Sequence, residues 1–292
     1  MARLLDMVVS AVLLAGLYAT MAYGLGLIYG VLRVVNLAHG GVIMVGAYLG
    51  WCLYVGFGID PYLSIPLVAV ASFAIGVAMY QGLVRRLPRG AAGGPASLLL
   101  LFGVWLVLRN IAYLLFKGDD RSIRTEYSSQ SLTLLGTHIS INRLAVVGIA
   151  ILIAVGMHLL LKRTQTGRAI RAVAQNADSC TVVGINTNRI YTLTFGIGSA
   201  LAGVAGVLLA TLFSFSPGTT GSPELLKSFV VVVLAGLGSV GGVAVSALIV
   251  ATVEVFAILV LPSYLTTAVG FVLLMVVLVL RPGGLFGTRV LS

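Results

Sequence analysis

The sequence predicts an all-α membrane bundle of about eight or nine transmembrane helices. Three observations predict it. The chain of 292 residues is 59% hydrophobic, with only 9% charged residues and a mean hydropathy of +1.11. Soluble domains carry about 25% charged residues, so lipid must be the solvent for much of this surface. The apolar residues fall into runs near the ~20 residues that cross a bilayer as a helix. Finally, Lys and Arg collect between those runs, as topology determinants do.

The candidate spans cover roughly 8–32, 38–57, 62–84, 96–116, 144–161, 190–213, 226–238, 242–260 and 264–280. The first run is long for a signal-peptide core and reads as a retained span. The seventh is short, as expected of a half-helix or a tightly packed one. Arg85, Arg86 and Arg89 lie in one loop. Lys162, Arg163, Arg168, Arg171 and Arg189 lie in another, and Arg281 and Arg289 follow the last span. The positive-inside rule puts these three regions in the cytoplasm. The segments 117–142 and 214–225 then face outward, and alternation puts the N-terminus outside. Residues 1–292 read as a single transmembrane domain with an internal loop at about 162–189.

Several function classes fall away. A net charge of +10 suggests nucleic acid on a soluble protein, but here the charge marks topology, so no nucleic-acid partner is expected. Cys52 and Cys180, with His39, His138 and His158, show no metal or redox spacing. The run GLGSVG at 236–241 matches a dinucleotide fingerprint, but its flanks are membrane runs rather than a strand and helix of a soluble unit. No P-loop motif occurs, so the chain has no ATP cradle of its own, and no catalytic constellation points to an enzyme.

Glycine is frequent, with 36 residues, many inside apolar runs. Gly196, Gly198, Gly203 and Gly206 read as close helix packing. The cluster 236–242 reads as a helix break.

The internal loop is the most informative segment. From about Thr166 it predicts a short amphipathic helix with Ile170, Val173, Ala174 and Ala177 on one face, and Arg168, Arg171, Gln175 and Asp178 mostly on the others. Asn176 or Asp178 suits the cap of a second short turn, and Gly184 a helix C-terminus. From the residues alone, a helix lying on the membrane surface and a helix docking on a partner fit equally well.

The second segment of interest is the break Asn36-Leu-Ala-His39-Gly40-Gly41 between two spans. Polar groups there suit a substrate path, but a structural turn in which Asn36 and His39 satisfy loose backbone groups is the plainer reading. Glu254 and Arg109 are ionisable residues deep in predicted spans and must face protein or water. Glu254 joins the substrate-path candidates.

Five stretches together resemble the permeases of branched-chain amino-acid ABC transporters, most closely the LivH-type subunit. They are 26–40 (GLIYGVLRVVNLAHG), 166–176 with 183–186 (TGRAIRAVAQN, VGIN), 193–206 (LTFGIGSALAGVAG), 229–242 (FVVVVLAGLGSVGG) and 281–287 (RPGGLFG). The resemblance implies that the internal loop supplies a coupling helix, with Gly167, Arg168, Arg171, Ala172, Gln175 and Gly184 at the contact. In that picture the arginines pair with acidic groups and the apolar face inserts into the ATPase. It also implies a second permease subunit, homologous or identical, two ATPase subunits that bind the ATP, a periplasmic solute-binding protein and an amino-acid substrate. No cofactor is expected in this chain itself. The setting would be multi-pass in the bacterial inner membrane. Family members often carry an acidic residue after the His-Gly pair, where this chain has Gly41. An ion-coupled secondary transporter of small polar solutes and an ABC permease for urea or short amides are the alternatives.

Overall fold

A computed structural model describes residues 2–87, 93–134, 137–236, 238–259, 261–281 and 283–286. The helices run α1 (Ala2–Leu32), α2 (His39–Phe57), α3 (Pro61–Gly82), α4 (Gly93–Phe116), α5 (Ile141–Arg163), α6 (Gln165–Gln175), α7 (Ala177–Val182), α8 (Thr187–Leu212), α9 (Ser222–Ala235), α10 (Val240–Ala257) and α11 (Ser263–Leu280). Arg89 and Arg289 lie outside the described residues. Helices over α1–α5 and α8 are long and apolar enough to cross a membrane, and α10 and α11 add shorter apolar segments. A two-stranded hairpin, β1 (Ser131–Leu134) with β2 (Thr137–Ser140), sits in the segment between α4 and α5.

Local chemistry ends these helices where it should. Gly58 adopts φ 66 after α2, so the helix closes with a left-handed residue that a side chain disfavours. Asp60 accepts from the Tyr62 N–H at 2.9 Å, and Pro61 occupies the first turn of α3, where its missing donor costs nothing.

Helix α8 is the centre of the bundle, packing against α1, α2 and α3. The contact is made at backbone range. A Cβ on Gly46 of α2 would collide with the Gly203 carbonyl, and one on Gly206 with the Ile43 carbonyl. In lipid no hydrophobic force drives helices together, so close packing of small residues must supply the attraction. The expectation that glycines in 196–206 serve packing is met at Gly198, Gly203 and Gly206, and at Gly196, where a Cβ would strike the Phe73 ring.

Helix α9 has 14 residues, about 21 Å at ~1.5 Å per residue, too short for a ~30 Å hydrocarbon core. It starts four residues before the expected span. Gly236 (φ 91) and Gly238 (φ 94) break the chain before α10, as the glycine cluster predicts. The C-terminal stretch returns to cap the break. Leu285 and Phe286 donate backbone N–H groups to the Leu234 and Ala235 carbonyls at 2.8 and 3.1 Å. These are end carbonyls of α9, which have no partner inside their own helix.

Candidate functional site

The internal loop folds as α6 and α7, each started by a side-chain cap. Thr164 accepts from the Gly167 N–H at 2.9 Å, Asn176 from Ser179 at 2.9 Å, and Asn186 from Arg189 at 3.0 Å at the start of α8. Gly184 takes φ 82 in the turn between α7 and α8. The apolar face of α6 is the predicted one, but its partner is not. Ile170 and Val173 are 1% and 2% exposed, packed with Leu27 and Val31 of α1 and Met157 and Leu161 of α5. The expectation that this face inserts into an ATPase is therefore corrected. The bundle itself covers the face, because burying it there removes it from water without waiting for a partner. Gly167 is also internal, since a Cβ there would strike the Leu160 carbonyl. Arg168, Arg171 and Gln175 stay exposed, Ala172 is half-buried, and Gly184 is exposed.

The break between α1 and α2 enters the bundle. Helix α1 stops at Leu32, and Arg33 takes the left-handed φ 57. The chain then turns back, so that His39 Nε2 lies 2.9 Å from the Met21 carbonyl oxygen. Met21 lies 11 residues before the end of α1, roughly 16 Å along its axis. Helix α2 thus begins inside the bundle, not at its edge. A carbonyl only accepts, so the Nε2–H tautomer makes this bond and Nδ1 is left without a partner among the described residues. Asn36 is fully buried, and neither polar atom of its side-chain amide has a partner among the described residues. His39 thus meets a carbonyl within α1 rather than a loose group at a helix end, and the Asn36 amide meets no partner among the described residues.

A second break meets the first. Residues 213–221 lead from α8 into α9 without helix, with Phe215, Ser216, Pro217 and Thr220 buried. Gly221 has φ 106, and a Cβ on Gly40 would collide with its carbonyl. The beginnings of α2 and α9, two helices that start within the bundle, therefore touch backbone to backbone. Irregular backbone is tolerated at membrane depth only when buried in protein or facing a water-filled cavity. Arg109 steadies the second break by donating Nε–H to the Pro217 carbonyl at 3.0 Å, with its guanidinium 5.4 Å from the Trp105 ring centre.

Glu254 does not meet Arg109. Its partners are Lys227 of α9, whose Nζ donates to Oε1 at 2.8 Å, and Tyr18 of α1, whose hydroxyl donates to Oε2 at 2.5 Å. Lys227 Nζ also donates to the Tyr18 oxygen at 2.6 Å. This is the ion pair found among the described residues. Sequence reasoning singled out Glu254 and passed over Lys227, although a lysine inside the short seventh run was a visible signal. Its pairing across 27 positions was not.

The fold and this site define a multi-pass membrane protein of the transport-permease class, with helices broken inside the bundle and a capped internal loop. The chain belongs to the family described as branched-chain amino acid transport system / permease component, whose model matches residues 7–280. The high-affinity branched-chain amino acid transport system permease protein BraD of Pseudomonas aeruginosa is 31% identical over 296 residues, covering 97% of this chain and 95% of that protein. The protein of the same description named LivH in Escherichia coli K12 is 29% identical over 300 residues, with the same two shares covered. The autoinducer 2 import system permease protein LsrC of Enterobacter sp. is 28% identical over 207 residues, 68% of this chain and 57% of that protein. The family is one of transport permeases, not of enzymes, and membership in it sets the ion-coupled alternative aside.

Proposed function

We propose that this chain is the transmembrane permease subunit of an ATP-binding-cassette importer that moves branched-chain or related amino acids across the bacterial inner membrane. Its partners are a second permease, homologous or identical, two ATPase subunits that bind the ATP, and a periplasmic solute-binding protein. The whole chain acts as one membrane domain, with residues 162–189 as the coupling loop.

The observation that carries this reading is the two-sided α6, taken with the family match. Its apolar side is anchored on α1 and α5, and Arg168, Arg171 and Gln175 project from the bundle. A push on that surface is transmitted to α1 and α5 as a rigid load, because packed interiors deform little. The Gly40–Gly221 contact, where two helix starts meet, is the natural closure of the path. Asn36, His39 and Gly41 border it, and Glu254 ties α10 to α1 and α9 beside it. ATP binding must favour one packing of these elements over another for transport to follow.

The test is ATP hydrolysis and leucine uptake by the assembled complex in proteoliposomes, with and without loaded binding protein. Stimulation of both by loaded binding protein supports the reading. Uptake by the chain without an ATPase subunit, driven by an ion gradient, would refute it.

A further inference from the structure

Two cavities adjoin at one end of the bundle. The first, of about 840 Å³, lies between the 122–131 segment, the start of α5 and the end of α8; Arg124, Thr125, Ser128 and Asn142 are among its lining. The second, of about 430 Å³, is walled by Leu13 and Leu14 of α1, Leu212 at the end of α8 with Phe213 after it, and Ile258 beyond α10. Arg143, Leu212 and Phe213 line both, so the polar cavity adjoins the apolar one.

The charges at the apolar cavity are the informative feature. Its lining carries one acid, Asp6 of α1, and one base, Arg143 of α5. Both side chains are exposed, and neither makes an ion pair among the described residues. One carboxylate and one guanidinium, both unengaged beside an aliphatic wall, match a zwitterion that carries an aliphatic chain. The guanidinium offers paired donors to a carboxylate, the Asp6 carboxylate accepts from an ammonium, and the wall removes the chain from water. The volume falls within the ~300–1,000 Å³ of small-molecule pockets.

The cavity also has a defined place in the bundle. Leu14 lies four residues before Tyr18, and Ile258 four residues after Glu254, one helical turn in each case. The aliphatic wall therefore stands one turn from the Tyr18–Lys227–Glu254 cluster, itself built from α1, α9 and α10.

We infer that this cavity binds the free aliphatic amino acid as a zwitterion, Arg143 taking its carboxylate and Asp6 its ammonium, before it passes the helix breaks. This rests on the importer reading above. The same chemistry is offered by a zwitterionic phospholipid, and the experiment separates the two sources.

The assembled importer is placed in nanodiscs without binding protein, and radiolabelled leucine binding is measured. Competitors are 4-methylpentanoate, which lacks the ammonium, and 3-methylbutylamine, which lacks the carboxylate. Wild type should bind leucine saturably and each competitor about tenfold more weakly. In Arg143→Gln, leucine should weaken about tenfold and 3-methylbutylamine should compete as well as leucine. In Asp6→Asn, 4-methylpentanoate should gain the same parity. A merely structural role for either residue would not exchange these rankings. Unchanged rankings in both variants, or no saturable binding by a wild type that imports leucine with its binding protein, overturn the inference. So does native mass spectrometry showing a bound zwitterionic phospholipid that leucine does not displace and that Arg143→Gln loses. A wild type that imports no leucine at all removes the importer reading itself, and this inference with it.

Discussion

Lys227 holds its ammonium 2.8 Å from the Glu254 carboxylate, and Tyr18 is hydrogen-bonded to both. Helices α9 and α10, whose residues here lie 209 and 236 positions from Tyr18 in sequence, are thereby tied to α1 at one point. The Lys227 side chain is 26% exposed and that of Glu254 12%, so the pair sits in a poorly solvated place where each charge needs the other.

Removing one partner of this pair should therefore cost more than removing both. Glu254→Met or Lys227→Met alone is expected to destabilise the chain by about 3 kcal/mol, and the two together by much less. Tyr18→Phe should cost about 1 kcal/mol. Chemical denaturation of the purified chain in detergent, read as a double-mutant cycle, checks this. Additive single-variant losses would mean that the pair is not coupled.

The contact of the two breaks predicts a sharp difference between neighbouring glycines. A Cβ on Gly40 meets the Gly221 backbone, which cannot yield without moving α9. A Cβ on Gly41 meets only side-chain atoms, the Leu108 Cδ1 methyl at 3.1 Å and the Trp105 ring at 3.4 Å, which can give by a few tenths of an ångström. Gly40→Ala should cost about 1–3 kcal/mol and abolish uptake, while Gly41→Ala should lose less than half as much stability. Thermal unfolding and transport assays on both variants decide it. Equal effects would show that the breaks are not packed against each other.

The two faces of α6 should separate stability from coupling. Ile170→Ala removes a side chain that is 1% exposed and should destabilise the chain by about 2–4 kcal/mol. Arg168→Ala with Arg171→Ala changes exposed positions and should alter stability by only about 0.5 kcal/mol. The same double variant should lose stimulation of ATP hydrolysis by loaded binding protein. Wild-type stimulation in the double variant would remove these arginines from the coupling contact.

Outside the spans, Tyr127 of the α4–α5 segment donates its hydroxyl to Asp60 of the α2–α3 turn. Burial first, and then this hydrogen bond, hold its phenol well above the usual range. A raised folded-state pKa stabilises the fold fully below the unfolded value of about 10, and that stability is lost as pH rises toward the folded value. The unfolding temperature of wild type relative to Tyr127→Phe should therefore hold steady to about pH 9 and fall by about pH 11. A difference that does not change with pH would exclude the phenol as its source.

Much of the fold was legible in the sequence because its determinants are local. A run of apolar residues must span lipid wherever the rest of the chain goes, so the helix positions follow from length and composition. The caps at Asn176 and Gly184 follow from backbone chemistry within four residues. The amphipathic face of α6 was visible in its period, with Ile170 and Val173 aligned.

What covers that face was not visible, because period defines a surface and not its neighbour. Lys227 shows the same limit. Its presence in a short apolar run is local, but its stabilisation depends on Tyr18 and Glu254 arriving from distant helices. The chain's sequence by itself determined where helices start, stop and turn polar, since lipid and unpaired backbone groups impose those terms on each segment separately. Only the tertiary structure decided that α2 and α9 begin inside the bundle and meet at Gly40 and Gly221. That meeting depends on the angles and depths at which whole helices pack, which are set by contacts between segments far apart in the chain.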